Sequence, residues 1–98
     1  MIRHVVLFRF TPETTAADVE AIADALRELP AAIPEIAAYR FGTDLGINEG
    51  NADFAVVADF ASTEDYLTYR DHPRHQAVIK EHIAPHLAER TAVQFAFD

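Results

Sequence analysis

Residues 2–10, Ile-Arg-His-Val-Val-Leu-Phe-Arg-Phe, carry the pattern that most restricts the fold. They alternate as a β-strand does and are rich in branched and aromatic side chains. Ile2, His4, Val6, Phe8 and Phe10 fall on one face, Arg3, Val5, Leu7 and Arg9 on the other. Both faces are apolar at the centre. A strand of this kind cannot lie on a surface with one side in water. It must sit within a sheet that is covered on both sides.

The rest of the chain supplies the cover for one side. Thr15 is an N-cap with Asp18 three residues on, and Val19, Ile22, Ala23, Leu26 and Leu29 then recur at helical spacing. Pro30 is expected to end this helix. Glu35–Leu45 reads as a second strand, with Tyr39 and Phe41 sharing a face and Gly42 marking a bulge or bend. Gly46–Asn51 is a polar turn region. Ala52–Phe60 reads as a third strand with Phe54, Val56, Ala58 and Phe60 on one face. Ser62 caps a second helix that carries Tyr66, Leu67 and Tyr69. The pair His72-Pro73 breaks it, because the residue before proline is pushed out of helical geometry. Pro73 then suits the first position of a new helix. Pro85 interrupts that segment, and Thr91–Phe97 reads as a last strand.

The order strand, helix, strand, strand, helix, strand is the split β-α-β pattern of an α+β, ferredoxin-like fold: a four-stranded antiparallel sheet with helices on one face. The uncovered face remains apolar at Val5, Leu7 and Val57, and at Val93, Phe95 and Phe97. A patch of this kind aggregates unless another surface covers it. The expectation is a homodimer with its sheets face to face.

Length and charge narrow the function. The chain has 98 residues, enough for one domain spanning 1–98. It carries 16 acidic and 8 basic residues, a net charge of -8, with no Lys/Arg cluster. Nucleic acid and anionic membrane surfaces are therefore disfavoured as partners. With no cysteine, thiolate chemistry and disulfides are excluded. No charged-then-apolar leader opens the chain and no apolar run approaches membrane-spanning length, so the expected location is cytoplasmic.

Chemistry-bearing residues concentrate in Tyr69-Arg70-Asp71-His72-Pro73-Arg74-His75. A phenol and two imidazoles lie around a helix-starting proline, and His4 stands on an apolar strand face at the far end of the sequence. Should the fold bring His4, Tyr69 and His75 together, they form a proton-transfer set. A buried imidazole among Val6, Phe8 and Phe10 must find a partner. Its alternative is a bond to a carbonyl or to Tyr69 that serves only the fold. His72 is expected to cap the following helix or face water. Val6, Phe8, Ile22, Leu26, Val56 and Val78 are the candidates for a ligand-cavity lining. The same stripe could simply be core. A ligand site of the ordinary kind needs roughly 300 Å³ of space where these groups meet.

His82 and His86 have the four-residue spacing of two metal ligands on a helix, but Pro85 lies between them and no third ligand is evident. No metal is expected. No Gly-rich phosphate loop, serine-nucleophile motif or dinucleotide fingerprint is present, so no cofactor is expected either.

Several motifs follow one another in a familiar order. His4-Val5-Val6-Leu7-Phe8-Arg9-Phe10, Leu29-Pro30 through Ile33-Pro34, Gly42-Thr43-Asp44, Val57-Ala58-Asp59-Phe60 and Tyr69-x-x-His72-Pro73-x-His75 together resemble the stress-responsive A/B barrel (Dabb) family over nearly the whole chain. The resemblance implies the ferredoxin-like fold and a dimeric α+β barrel. One branch of that family, the plant polyketide cyclases, closes linear polyketides by aldol condensation without metal or cofactor. By motif position the resemblance puts the catalytic set of that branch on His75 as base, Tyr69 as donor and His4 as a residue that orients a substrate oxygen or relays a proton. The aromatic pocket residues of that branch's first helix are replaced here by Ile22, Ala23 and Leu26. Three readings stand side by side: a binder of a small apolar or aromatic ligand, a cofactor-independent polyketide-type cyclase, and a structural or stress-protective oligomer with a filled core.

Overall fold

A computed structural model describes all residues, 1–98. Strand β1 (Ile2–Phe10) is followed by helix α1 (Ala16–Arg27), a single turn α2 (Leu29–Ala32), β2 (Ala38–Thr43), β3 (Phe54–Phe60), α3 (Thr63–Asp71), α4 (Pro73–Val78) and β4 (Leu87–Ala96). The four strands form one antiparallel sheet in the order β2-β3-β1-β4. The helices cover one face, giving the expected ferredoxin-like architecture. No helix is long and apolar enough to cross a membrane.

Local sequence accounts for the helix ends. The Thr15 hydroxyl accepts from the Asp18 N–H at 3.1 Å while the Asp18 carboxylate accepts from the Thr15 N–H at 2.9 Å, a reciprocal capping box. Ser62 caps α3 by accepting from the Asp65 N–H at 3.1 Å. His72 is extended, with φ -63° and ψ 133°, and its Nδ1 accepts from the Arg74 N–H at 3.1 Å, so it caps α4.

Several expected boundaries move. Helix α1 stops at Arg27, and Pro30 sits inside α2 rather than terminating α1. β2 is shorter than Glu35–Leu45, and β3 starts at Phe54 rather than Ala52. Gly42 pairs in regular register with Ala55 and marks no bulge. The irregularity lies instead between Arg9 and Phe10 where β1 meets β4. Pro85 does not end the helical path at once. It has no N–H to give the Glu81 carbonyl, and the chain widens to a π-helical turn over Ile79–Ile83 before tightening at Ala84–His86. β4 begins four residues earlier than its apolar alternation suggests. Leu87, Glu89 and Arg90 are held extended by pairing with Phe10, Arg9 and Phe8.

The core lies between the sheet's inner face and the helices. Ile22, Leu26, Leu29 and Ile33 descend onto Val6, Phe8, Val56 and Phe60, all at most 4 % exposed. On the outer face, Arg3 and Asp59 form a bidentate pair at 2.8 and 2.9 Å. The Arg3 guanidinium, 4.5 Å from the Phe97 ring centre, holds the Asp59 carboxyl below its usual range. Around that pair the outer face is apolar. Leu7 is 39 %, Val93 55 % and Phe95 45 % exposed.

Candidate functional site

Strand register arranges the inner face in rows. Tyr39, Ala58, His4 and Gln94 form one row across β2, β3, β1 and β4, and Phe41, Val56, Val6 and Ala92 form the next. A third runs through Phe54, Phe8 and Arg90. The small Ala58 between Tyr39 and His4 leaves room above the sheet, and α3 closes over it with Tyr66 and Tyr69.

The break at His72-Pro73 matters for geometry. In an unbroken helix, residues 69 and 75 would point about 120° apart. The turn into α4 instead brings the Tyr69 and His75 rings to 4.0 Å between centroids. The His4 ring is 6.3 Å from Tyr69 and 5.0 Å from Tyr66. His4, far from the other two in sequence, lines one cavity of about 170 Å³ together with Tyr69 and His75. Val6, Phe8, Leu26 and Val56 line it as well. Ile22 and Val78 do not. They are 0 % and 8 % exposed and are packed into the solid core, because α1 and α4 turn those positions toward other side chains. The cavity is also smaller than the roughly 300 Å³ expected for a larger ligand.

Hydrogen bonds fix the state of each group. The carbonyl of Arg70 can only accept, and it lies 3.0 Å from His75 Nδ1, so that nitrogen carries the proton. The lone pair of neutral His75 is therefore on Nε2. Burial, with Arg90 also contributing, lowers the His75 pKa against the opposing pull of the Arg70 carbonyl. For His4, Gln94 Nε2 lies 2.8 Å from Nδ1 and donates to it, which places the His4 proton on Nε2. Burial first, then Arg90 and His75, push the His4 pKa down to about 4. Both imidazoles are neutral at pH 7, one presenting a base and the other a donor.

The Tyr69 hydroxyl meets the Tyr39 hydroxyl at 2.8 Å. Burial raises the pKa of both, Tyr39 to about 12, so the pair stays protonated. Either hydroxyl of the pair can donate to the other, and the arrangement in which Tyr39 donates leaves the Tyr69 proton for a ligand oxygen.

From sequence alone Tyr39 has a strand face and no role. Tyr66 has a place on the second helix but no role there, and Gln94 and Arg90 carry no signal in the sequence. Alternation along β2 and β4 gives Tyr39 and Gln94 a face, but only register says that Tyr39, His4 and Gln94 share a row. His86 is 3.8 Å from Asp18. No three metal-ligating side chains come together.

Solved structures with the same fold are numerous. A dimeric ferredoxin-like protein of unknown function from Thermobifida fusca is 52 % identical, with TM-score 0.91 over 98 % of this chain and 90 % of that one. A dimeric protein of ferredoxin-like fold from Bacteroides fragilis is 26 % identical, with TM-score 0.82 over 98 % and 95 %. The hydroxynitrile lyase of Passiflora edulis is 22 % identical, with TM-score 0.86 over 99 % and 93 %, a likeness of fold. No curated protein matches the chain in sequence. The family model described as the stress responsive A/B barrel domain matches residues 2–97, and with the ordered motifs and the sheet of paired rows it makes this chain a member of that family.

Proposed function

We propose that the protein is a homodimer, joined through the outer sheet faces, whose protomers each bind a small organic molecule between sheet and helices. The observation that carries this reading is the convergence of His4, Tyr69 and His75 on one largely apolar cavity of about 170 Å³. A cavity of about 150 Å³ in another protein is enough to hold benzene, so the expected ligand has the bulk of one ring or a short aliphatic chain. The dimeric description of the relatives supports the assembly. So does the apolar outer face, which a second sheet would remove from water.

Thermal denaturation against a panel of single-ring aromatics and short fatty acids tests the binding. A ligand that favours the folded state must raise the melting temperature by mass action. The expected result is a dose-dependent rise for some members. No rise anywhere at millimolar ligand leaves the structural reading, an oligomer with no ligand.

One observation favours a catalytic version. Neutral His75 offers a lone pair at Nε2, beside a phenol that stays protonated. In an aldol closure, His75 Nε2 takes a proton from a carbon flanked by carbonyls. The Tyr69 hydroxyl holds the developing enolate oxygen, and the carbanion attacks a second carbonyl of the same molecule. His4, through its Nε2 proton, orients that second oxygen. On attack this oxygen becomes an alkoxide and takes the proton from the His75 imidazolium, so the hydroxyl product forms and the base is restored. The cavity restricts such a reaction to short poly-β-ketides. His75→Ala should abolish their turnover while the dimer persists. Turnover unchanged in that variant removes His75 as the base.

A further inference from the structure

Among the cavity's lining residues are two guanidinium groups and no carboxylate. Asp71 occupies the first of them, bonding Arg70 at 2.8 and 3.1 Å. Arg90, in contrast, takes part in no ion pair. In register it stands opposite Phe8 on the inner face, the same face as His4. Its neighbour Glu89 points to the outer side and pairs with Arg9 at 3.6 Å. A chain with 16 acidic residues against 8 basic ones thus leaves a cation at a carboxylate-free cavity. The charge acts on the site, since Arg90 lowers the pKa of His4, Tyr69 and His75.

We propose that the cavity takes a small monocarboxylate, with Arg90 meeting the carboxylate at the mouth and the apolar body lying over Val6, Phe8 and Val56. This rests on the reading of the cavity as a ligand site and names the class of ligand. With both imidazoles neutral and the phenols protonated, Arg90 is the charged group left unmatched, and an anion matches it. The net charge of -8 opposes an approaching anion. Physiological salt screens that field beyond about 8 Å, so Arg90 dominates at contact. A guanidinium also suits a planar carboxylate by presenting two parallel N–H groups.

The test is calorimetric titration with benzoate and with benzyl alcohol, equal in ring and different in charge, at pH 7. Benzoate is expected to bind about tenfold tighter or more, the range of a charge-assisted hydrogen bond. Arg90→Gln, at an exposed position, should erase that preference and leave benzyl alcohol unchanged. Arg74→Gln, at an exposed arginine outside the cavity, should leave the preference intact. Equal affinity for the two compounds, or a preference that survives Arg90→Gln, overturns the carboxylate assignment while the ligand site stands. If neither compound binds, this inference falls, and the thermal panel of aromatics and short fatty acids then decides whether the ligand site falls with it.

Discussion

On β1, His4, Val6 and Phe8 are each 4 % exposed, whereas Leu7, set between two of them, is 39 % exposed. Both sets belong to one strand and are comparably apolar, apart from His4. The difference is what lies above them. Helices α1, α3 and α4 come from the same chain and seal the inner face, while nothing in the chain reaches the outer one. The two sides of a strand that is apolar at its centre on both thus acquire different duties. The sealed side can hold neutral imidazoles and a phenol pair in fixed protonation states, because water is kept from them. The open side offers hydrophobic area to a second copy.

The strongest way to break this contrast is to empty the inner side. Phe60→Ala removes a fully buried ring that packs 5.1 Å from Tyr69 and 5.7 Å from Tyr66. It should cost about 3–5 kcal/mol in urea denaturation. The outer side is tested by Val93→Asp, at a residue 55 % exposed in the protomer. A charge there costs little in the protomer but must be desolvated between sheets. The dimer dissociation constant, read by analytical ultracentrifugation, should rise about a hundredfold. A wild-type protein that sediments as a monomer at micromolar concentration removes the sheet-face dimer altogether.

Acid sharpens the comparison, because it acts on the sealed side. Folding holds the His4 pKa at about 4 against an ordinary 6.5. Between those values the unfolded chain binds a proton that the folded chain refuses. Stability is therefore full above about pH 6.5 and is lost as pH falls toward 4, by about 3 kcal/mol from His4 alone. His75 shifts in the same direction and adds to the slope. Denaturation midpoints across this range should flatten in His4→Phe relative to wild type. An unchanged slope would mean that His4 is not kept neutral. The smallest effect is expected from Tyr39→Phe, which deletes one partner of the phenol pair for about 1 kcal/mol. Urea titration at pH 7 reads it, and a loss near zero would mean that the pair is replaced by water.

Much of the frame is legible in the chain, and particular residues show where legibility stops. Thr15 and Asp18 announce a helix start because capping is a contact over three residues. His72-Pro73 announces a break because the restriction acts on adjacent residues. The start of β4 escaped because Leu87–Arg90 owe their extended shape to pairing with Phe8–Phe10, a long-range contact. Gly42 misled, since a residue tolerant of bulges is also compatible with regular pairing. Tyr69 and His75 could be singled out from one short motif, and His4 from an imidazole on an apolar face. Tyr39, Gln94 and Arg90 carried no such mark.

The sequence by itself determined the order of elements, the breaks at Pro73 and near Pro85, and the presence of an apolar face that the helices do not cover. Those properties follow from alternation, helical spacing and proline stereochemistry, which act over a few residues. The tertiary structure alone decided that Tyr39 lies in the row of His4 and hydrogen-bonds Tyr69, and that Arg90 reaches a cavity without a carboxylate. It also decided that Ile22 and Val78 belong to solid core. Register and helix placement set these relations, and both depend on how distant strands and helices pack together.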